Sequence, residues 1–174
     1  MERNYVVCDL ETTGLDPLTD RIIEIGMVRV QHGEISGTYH TMVNPGMPLP
    51  LKIKRITGID DSDLINAPPI TDVMNEVIDF IGNDAIVGHN IRFDLDFLAA
   101  AQGLPFNNPH YDTVELARTL LPNAPSHRLE SLCAALNIET AGSHRALNDA
   151  MATAHLMVLL MQKIKDLDLS LIHI

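Results

Sequence analysis

Five residues of this 174-residue sequence combine side-chain type and spacing in a way suited to chemistry: Asp9, Glu11, Asp94, His144 and Asp149. Asp9 and Glu11 lie two apart at the end of an apolar run, so in a strand both carboxylates face the same way. Alone, such a pair reads equally as a solvated strand end. Asp94 is more telling. Phe97, Leu98 and Ala101 follow it at helical spacing, which places Asp94 on an inward stripe where an unpaired carboxylate is costly. A cation or the amides of a helix's first turn would satisfy it. Asp96 falls on another face and reads as solvated. Asp149 flanks the apolar stripe in the first turn of the last helix, with His144 in the Gly142–Ser143 approach to it. Taken singly, a loop histidine and a first-turn aspartate are ordinary surface features.

Together the five imply more. Carboxylates gathered at element ends are oxygen ligands of the kind that suit Mg²⁺ or Mn²⁺ better than zinc. Two such ions roughly 3.5–4 Å apart clamp the attacking and leaving oxygens of a phosphodiester in an in-line displacement. An imidazole, with an unperturbed pKa of about 6.5, is suited to taking a proton from water near neutral pH. The set is sufficient for metal-assisted hydrolysis.

Residues 9–15 (DLETTGL), 88–94 (GHNIRFD) and 144–149 (HRALND) resemble the three motifs of the DEDDh 3′→5′ exonuclease family, to which proofreading subunits of the DNA polymerase III epsilon type belong. Residues 44–46, 56–59 and 112–113 resemble its connecting segments, and the likeness covers roughly residues 4–165. It implies an RNase H-like α/β fold, a mixed β-sheet flanked by helices, with Asp9 and Glu11 on the central strand. It also implies roles. Asp9, Glu11 and Asp149 hold one divalent ion, Asp9 and Asp94 serve a second, and His144 is the general base. The turn Thr12, Thr13, Gly14 and Leu15 receives the terminal nucleotide, with Leu15 against the base. Asn90 and Phe93 assist, although Phe93 also suits plain core.

The elements that must position these residues can be read from periodicity. Residues 5–10, 22–31 and 34–43 read as strands, the last two joined by the turn His32–Gly33. Asn44, Gly46, Pro48 and Pro50 mark a loop. Residues 71–81 have helical spacing, and residues 85–88 form a short buried strand. Asn90 is placed to cap the next helix and Gly103 to close it. Residues 111–113 lead into a helix ended by Pro122, and Ser126 is placed to cap another that includes Leu129, Leu132 and Leu136. The last helix, residues 146–166, carries Leu147, Met151, Ala154, Met157, Met161 and Ile164 on one face. Strands first, then alternating helices and strands, predict an α/β domain with a mixed sheet.

The length fits one domain that buries roughly 70% of its unfolded surface. Cys8 and Cys133 sit among apolar neighbours without zinc spacing, which suits buried thiols and a reducing cytoplasm. No apolar stretch approaches the roughly 20 residues of a membrane span, and the N-terminal apolar run is too short for a signal peptide. His89 and His155 read as structural or solvated, and Tyr39, Tyr111, Phe80 and Phe97 as packing residues. Residues 169–174 (LSLIHI) resemble the translated end of a sequencing adapter, so the exonuclease domain is assigned to 1–168 and the remainder to a non-native tail.

The net charge of −11 argues against tight autonomous binding along a nucleic-acid backbone. The resemblance implies single-stranded or frayed DNA 3′ ends as substrate, and the acidic charge points to a DNA polymerase or helicase partner that supplies affinity. The resemblance allows the exonuclease-like domain of a damage-inducible helicase. The rivals are a 3′→5′ exoribonuclease and a non-catalytic adaptor, and four converging acids argue against the adaptor.

Overall fold

A computed structural model describes residues 4–142 and 144–172, with the backbone alone described beyond residue 167. The chain runs β1 (Tyr5–Thr12), β2 (Ile22–Gln31), β3 (Glu34–Met42), α1 (Leu51–Thr57), α2 (Asp61–Leu64), α3 (Ile70–Ile81), β4 (Ala85–Gly88), α4 (Ile91–Gln102), β5 (His110–Asp112), α5 (Thr113–Leu120), α6 (Leu129–Leu136) and α7 (Ala146–Ile172). The sheet order is β3-β2-β1-β4-β5. The first three strands pair antiparallel, whereas β4 joins β1, and β5 joins β4, in parallel. This is the mixed sheet that the sequence predicts.

β1 is central and apolar on both faces. Val6, Cys8 and Leu10 pack against Val77 of α3 and Leu98 of α4. Tyr5 and Val7 point the other way, against Ala150, Ala154 and Met157 of α7. Full burial of an Ile, Leu or Val side chain contributes about 1.5–3 kcal/mol, so this two-sided seam fixes the strand that carries Asp9 and Glu11. Helices α5 and α6 buttress α7 from outside through Ala117, Leu132, Leu156 and Leu160. Both cysteines are buried and free.

The His32–Gly33 turn joins β2 and β3 with positive φ at both residues (54° and 82°), the twist that a tight hairpin requires. The loop marked by Asn44, Gly46, Pro48 and Pro50 stands as expected, and two short helices follow it: Pro50 occupies the N-cap of α1, where its missing N–H does no harm, and an Asp60–Asp63 capping box starts α2. Three expectations need correction. Asn90 has a left-handed backbone (φ 74°) and its side chain caps nothing. Ser126 is not the cap of α6 either; that position is Arg128, whose backbone N–H donates to Ser126 Oγ at 3.2 Å. The buried face of α7 is rotated from the expected one. Ala146, Ala150 and Ala154 lie fully buried, while Leu147, Met151, Met161 and Ile164 are half-buried. Small residues let the helix axis approach the sheet, and a periodicity weighted towards large side chains hides them. α7 continues through residue 172; Ser143 and the last two residues of the suspected tail lie outside the described residues. Among the described residues no helix is long and apolar enough to cross a membrane.

Candidate active site

β4 pairs with β1 only at Tyr5, Val6 and Val7, so β1 runs on alone past the end of its parallel neighbour. Parallel strand ends of this kind leave a crevice. There the amide of Leu10 lacks a strand partner on that side, and Asp94 Oδ1 accepts its hydrogen bond at 3.0 Å. Asp94 is only 4% exposed. Its burial pushes its proton affinity well up, and the nearby Glu11 and Asp112 add to this against the opposing Leu10 amide. Amide satisfaction and a cation-seeking carboxylate therefore coexist in one side chain.

Asp9 and Glu11 share the face of β1 turned towards α7. Asp149 enters from the first turn of α7, its Oδ2 accepting from His144 N at 2.8 Å. That bond holds His144 in a left-handed backbone conformation (φ 61°). Ligand atoms of Glu11, His144 and Asp149 all lie within 4.8 Å of one another. Asp9 stands two residues before Glu11 on the same strand. Burial raises its pKa well above the carboxylate range, reinforced by Asp94, Asp149, Glu11 and Glu24. Burial, with Asp149 and Glu24, pushes Glu11 up to about 7, and burial also raises Asp149. Four carboxylates with too little positive charge among them, and an imidazole at their edge, have the donor chemistry of a divalent-cation site. The residues present fit such an ion.

Two residues not singled out in the sequence place the His144–Asp149 segment. Glu24 lies directly opposite Glu11 across the β1–β2 pair and is fully buried. It accepts from Arg145 Nε (3.1 and 3.2 Å) and Nη2 (2.9 Å) and from the Ala146 amide at 3.1 Å, and it meets His40 Nε2 at 2.7 Å. Burial would raise its pKa, but these partners win and hold it below the usual value. Gly26, the cross-strand partner of Asp9, is the second: a Cβ there would stand 2.2 Å from Ala146 C and Leu147 N. α7 can start beside Asp9 only because that Cβ is missing. The available signal was a glutamate inside the otherwise apolar strand 22–28.

The expected nucleotide turn is internally braced. Thr12 Oγ1 donates to Gly14 O at 2.6 Å, and Thr13 Oγ1 donates to Asp20 Oδ1 at 3.2 Å while accepting from Arg21 N at 2.9 Å. Gly14 leaves room for the Asp20 carboxylate, which a Cβ would meet at 2.3 Å. Leu15 projects from this turn, 82% exposed. Phe93 is half-buried with its ring 4.9 Å from that of Phe97, whereas Asn90 is exposed. His89 is structural, bridging Thr113 Oγ1 and His127 O at 2.9 Å each. Asp96 faces solvent and pairs with Arg92, and Tyr39 packs on Phe80.

A mixed sheet that gathers acids at the ends of its parallel strands defines an RNase H-like α/β domain with a candidate metal site. Comparison with known proteins specifies the class further. The exonuclease family model RNase_T matches residues 6–157, and the chain belongs to that family. It is 34% identical over 168 residues to the DNA polymerase III subunit epsilon of Aquifex aeolicus, covering 94% of this chain and 83% of that protein. It is 42% identical over 162 residues to the PolC-type DNA polymerase III of Bacillus subtilis, covering 90% of this chain but spanning only 11% of that relative. Among solved structures, exonuclease X in complex with 5′ overhanging duplex DNA aligns with a TM-score of 0.77 and 27% identity, over 91% of each chain. Escherichia coli exonuclease I shares the fold, with a TM-score of 0.85 at 21% identity over 98% of this chain and 44% of that one.

Proposed function

We propose that residues 1–168 form a 3′→5′ DNA exonuclease domain of the proofreading or repair type, releasing nucleotides from single-stranded or frayed 3′ ends in the cytoplasm. The observation that carries this reading is the convergence of Glu11, His144 and Asp149 within 4.8 Å, backed by Asp9 and the buried Asp94. Asp9, Glu11 and Asp149 would hold one Mg²⁺ or Mn²⁺, and Asp9 with Asp94 a second. When bound, such ions supply charge stabilisation for in-line displacement at phosphorus.

The protein's own groups do the rest. His144 is exposed at the edge of the cluster, where it can take a proton from incoming water and release it to solvent. Because both threonine hydroxyls of the 12–15 turn are already engaged, that turn offers the terminal nucleotide a rigid backbone and the Leu15 side chain. Asn90 at the N-cap of α4 and Phe93 in its first turn would assist. The epsilon-subunit relative and the DNA-bound exonuclease X favour DNA over RNA and association with a polymerase; a helicase would meet the same need. With a net charge of −11, affinity for a long strand would come largely from such a partner.

A gel assay on 5′-labelled DNA and RNA strands, with Mg²⁺, Mn²⁺ or chelator, tests this. A ladder shortening from the 3′ end on DNA, lost in chelator, is the expected result. Faster shortening of RNA would move the assignment to an exoribonuclease, and internal cuts would refute an exonuclease.

A further inference from the structure

Positive charge is scarce in this chain, with 12 Lys and Arg against 23 Asp and Glu, and part of it is paired internally. Arg29, Lys54, Arg92 and Arg145 each meet a carboxylate. Arg118, in the last turn of α5, and Arg128, at the N-cap of α6, are different. Both are exposed, and neither guanidinium has an ion-pair or hydrogen-bond partner among the described residues. They line one recess of about 460 Å³ together with Asn90, Ser126 and His127.

The walls of this recess are braced. The half-buried His89 ring ties Thr113 to the His127 carbonyl, and His127 Nε2 donates to Leu121 O at 3.1 Å. Burial lowers the proton affinity of His89, so that ring braces without adding charge. Asp112, bonded to two of the lining residues, is engaged: its Oδ1 accepts from the amides of Asn90 (3.0 Å) and Val114 (2.8 Å). The first turn of α6 carries no side-chain cap. At its other side Glu130 lies close enough to Asp149 to raise its pKa. Asn90, which lines the recess at the N-cap of α4, stands one helical turn before Asp94 of the acid cluster.

We infer that this recess is an anion subsite that takes an internal backbone phosphate of the strand whose 3′ end lies at Asp9 and Asp149. Two forked guanidinium groups suit phosphate oxygens, and unpaired arginines gain most from such a partner. The subsite rests on the nuclease reading and deepens it. It gives an acidic protein a local hold on nucleic acid without a basic face, and it favours substrates longer than one terminal nucleotide.

The test separates strand binding from chemistry. A 5′-labelled single strand of about 12 nucleotides is titrated by fluorescence anisotropy in chelator, where no cleavage occurs. Arg118→Ala/Arg128→Ala should weaken binding by about tenfold or more, as expected for losing charge-assisted hydrogen bonds. It should also flatten the dependence of log K on log salt by about 0.7 per phosphate released. Arg118→Lys/Arg128→Lys should restore most of the salt slope. In parallel, hydrolysis of thymidine 5′-monophosphate p-nitrophenyl ester with Mn²⁺ is measured. The loss on the strand should exceed the loss on the ester by about tenfold.

Unchanged strand binding in the alanine pair would overturn the subsite. So would equal losses on strand and ester, which would place the effect in the acid cluster. Strand binding that depends on the arginines, in a protein that hydrolyses neither substrate, would overturn the nuclease reading and leave the subsite standing.

Discussion

Glu11 and Glu24 face each other directly across the β1–β2 pair, yet the protein neutralises only Glu24. Like charges opposite one another destabilise a sheet. Here Arg145, His40 and the Ala146 amide converge on Glu24, while Glu11 faces the acid cluster with only a weak lowering influence from Arg145. One acid is structural and anchors α7; the other is left for the site.

Glu24 should therefore act as a positioning residue. In Glu24→Ala the Ala146 amide loses a buried acceptor, a change that typically costs about 1–3 kcal/mol. The His144–Asp149 segment loses its anchor as well. We expect a lower Tm and about tenfold or greater loss of turnover, with weakened stabilisation by Mn²⁺ in thermal melts. Glu24→Gln, which keeps an acceptor, should recover part of both. Wild-type turnover and an unchanged metal response in Glu24→Ala would exclude the role.

Asp9→Ala and Asp149→Ala should each nearly abolish cleavage, because both are assigned to direct metal binding. Each substitution also removes a carboxyl from a crowded acid cluster that disfavours its ionisation, so the metal-free protein should melt no lower in Asp9→Ala than in the wild type. Steady-state rates and melts in chelator check the pair of effects. Retained turnover in either variant would sink the two-ion assignment.

His144→Ala should lose roughly 10²–10⁴-fold in rate while metal binding persists, as expected for removal of a general base. Calorimetric titration with Mn²⁺ and a single-turnover assay separate the two. A wild-type rate near neutral pH would rule out the proton-accepting role.

The metal-free protein should lose stability as pH rises from about 5 to about 8. Glu11, raised to about 7, and the raised Asp9, Asp94 and Asp149 stay protonated in the folded chain at pH values where the unfolded chain has released those protons. The folded state then binds more protons, so stability falls with rising pH. Glu24 is shifted the other way, and its contribution is lost only on acidification below its unfolded value. Melts in chelator should show a lower Tm at the higher pH, and Mn²⁺ should reverse the trend. Glu11→Gln should flatten it. A metal-free Tm that climbs steadily across this range would contradict the assignment of these shifts.

The fold was legible where side-chain size and alternation report burial. The three β-strands, the His32–Gly33 turn, β4 and the helix closed by Gly103 stand where periodicity and turn residues put them. Legibility failed where small or polar residues make the contact. Ala146 and Ala150 face the sheet although Leu147 and Met151 are larger, because close approach favours small residues there. Of the site, Asp9, Glu11, Asp94, His144 and Asp149 were recognisable by type and spacing. Glu24 and Gly26 were not, since their function lies in contacts to residues about 120 positions away. Local pattern does not encode that pairing.

Asp149 has a consequence of its own. One carboxylate oxygen is already occupied with the His144 amide, which leaves the other to face the acid cluster. The side chain thus serves two masters with two acceptors, fastening the histidine segment and, on the proposed reading, confronting a cation. An amide in its place has a single acceptor and must turn its N–H₂ towards one of the two. The position therefore tolerates no isosteric compromise: even the most conservative change in shape forces a choice between holding the histidine and holding the charge.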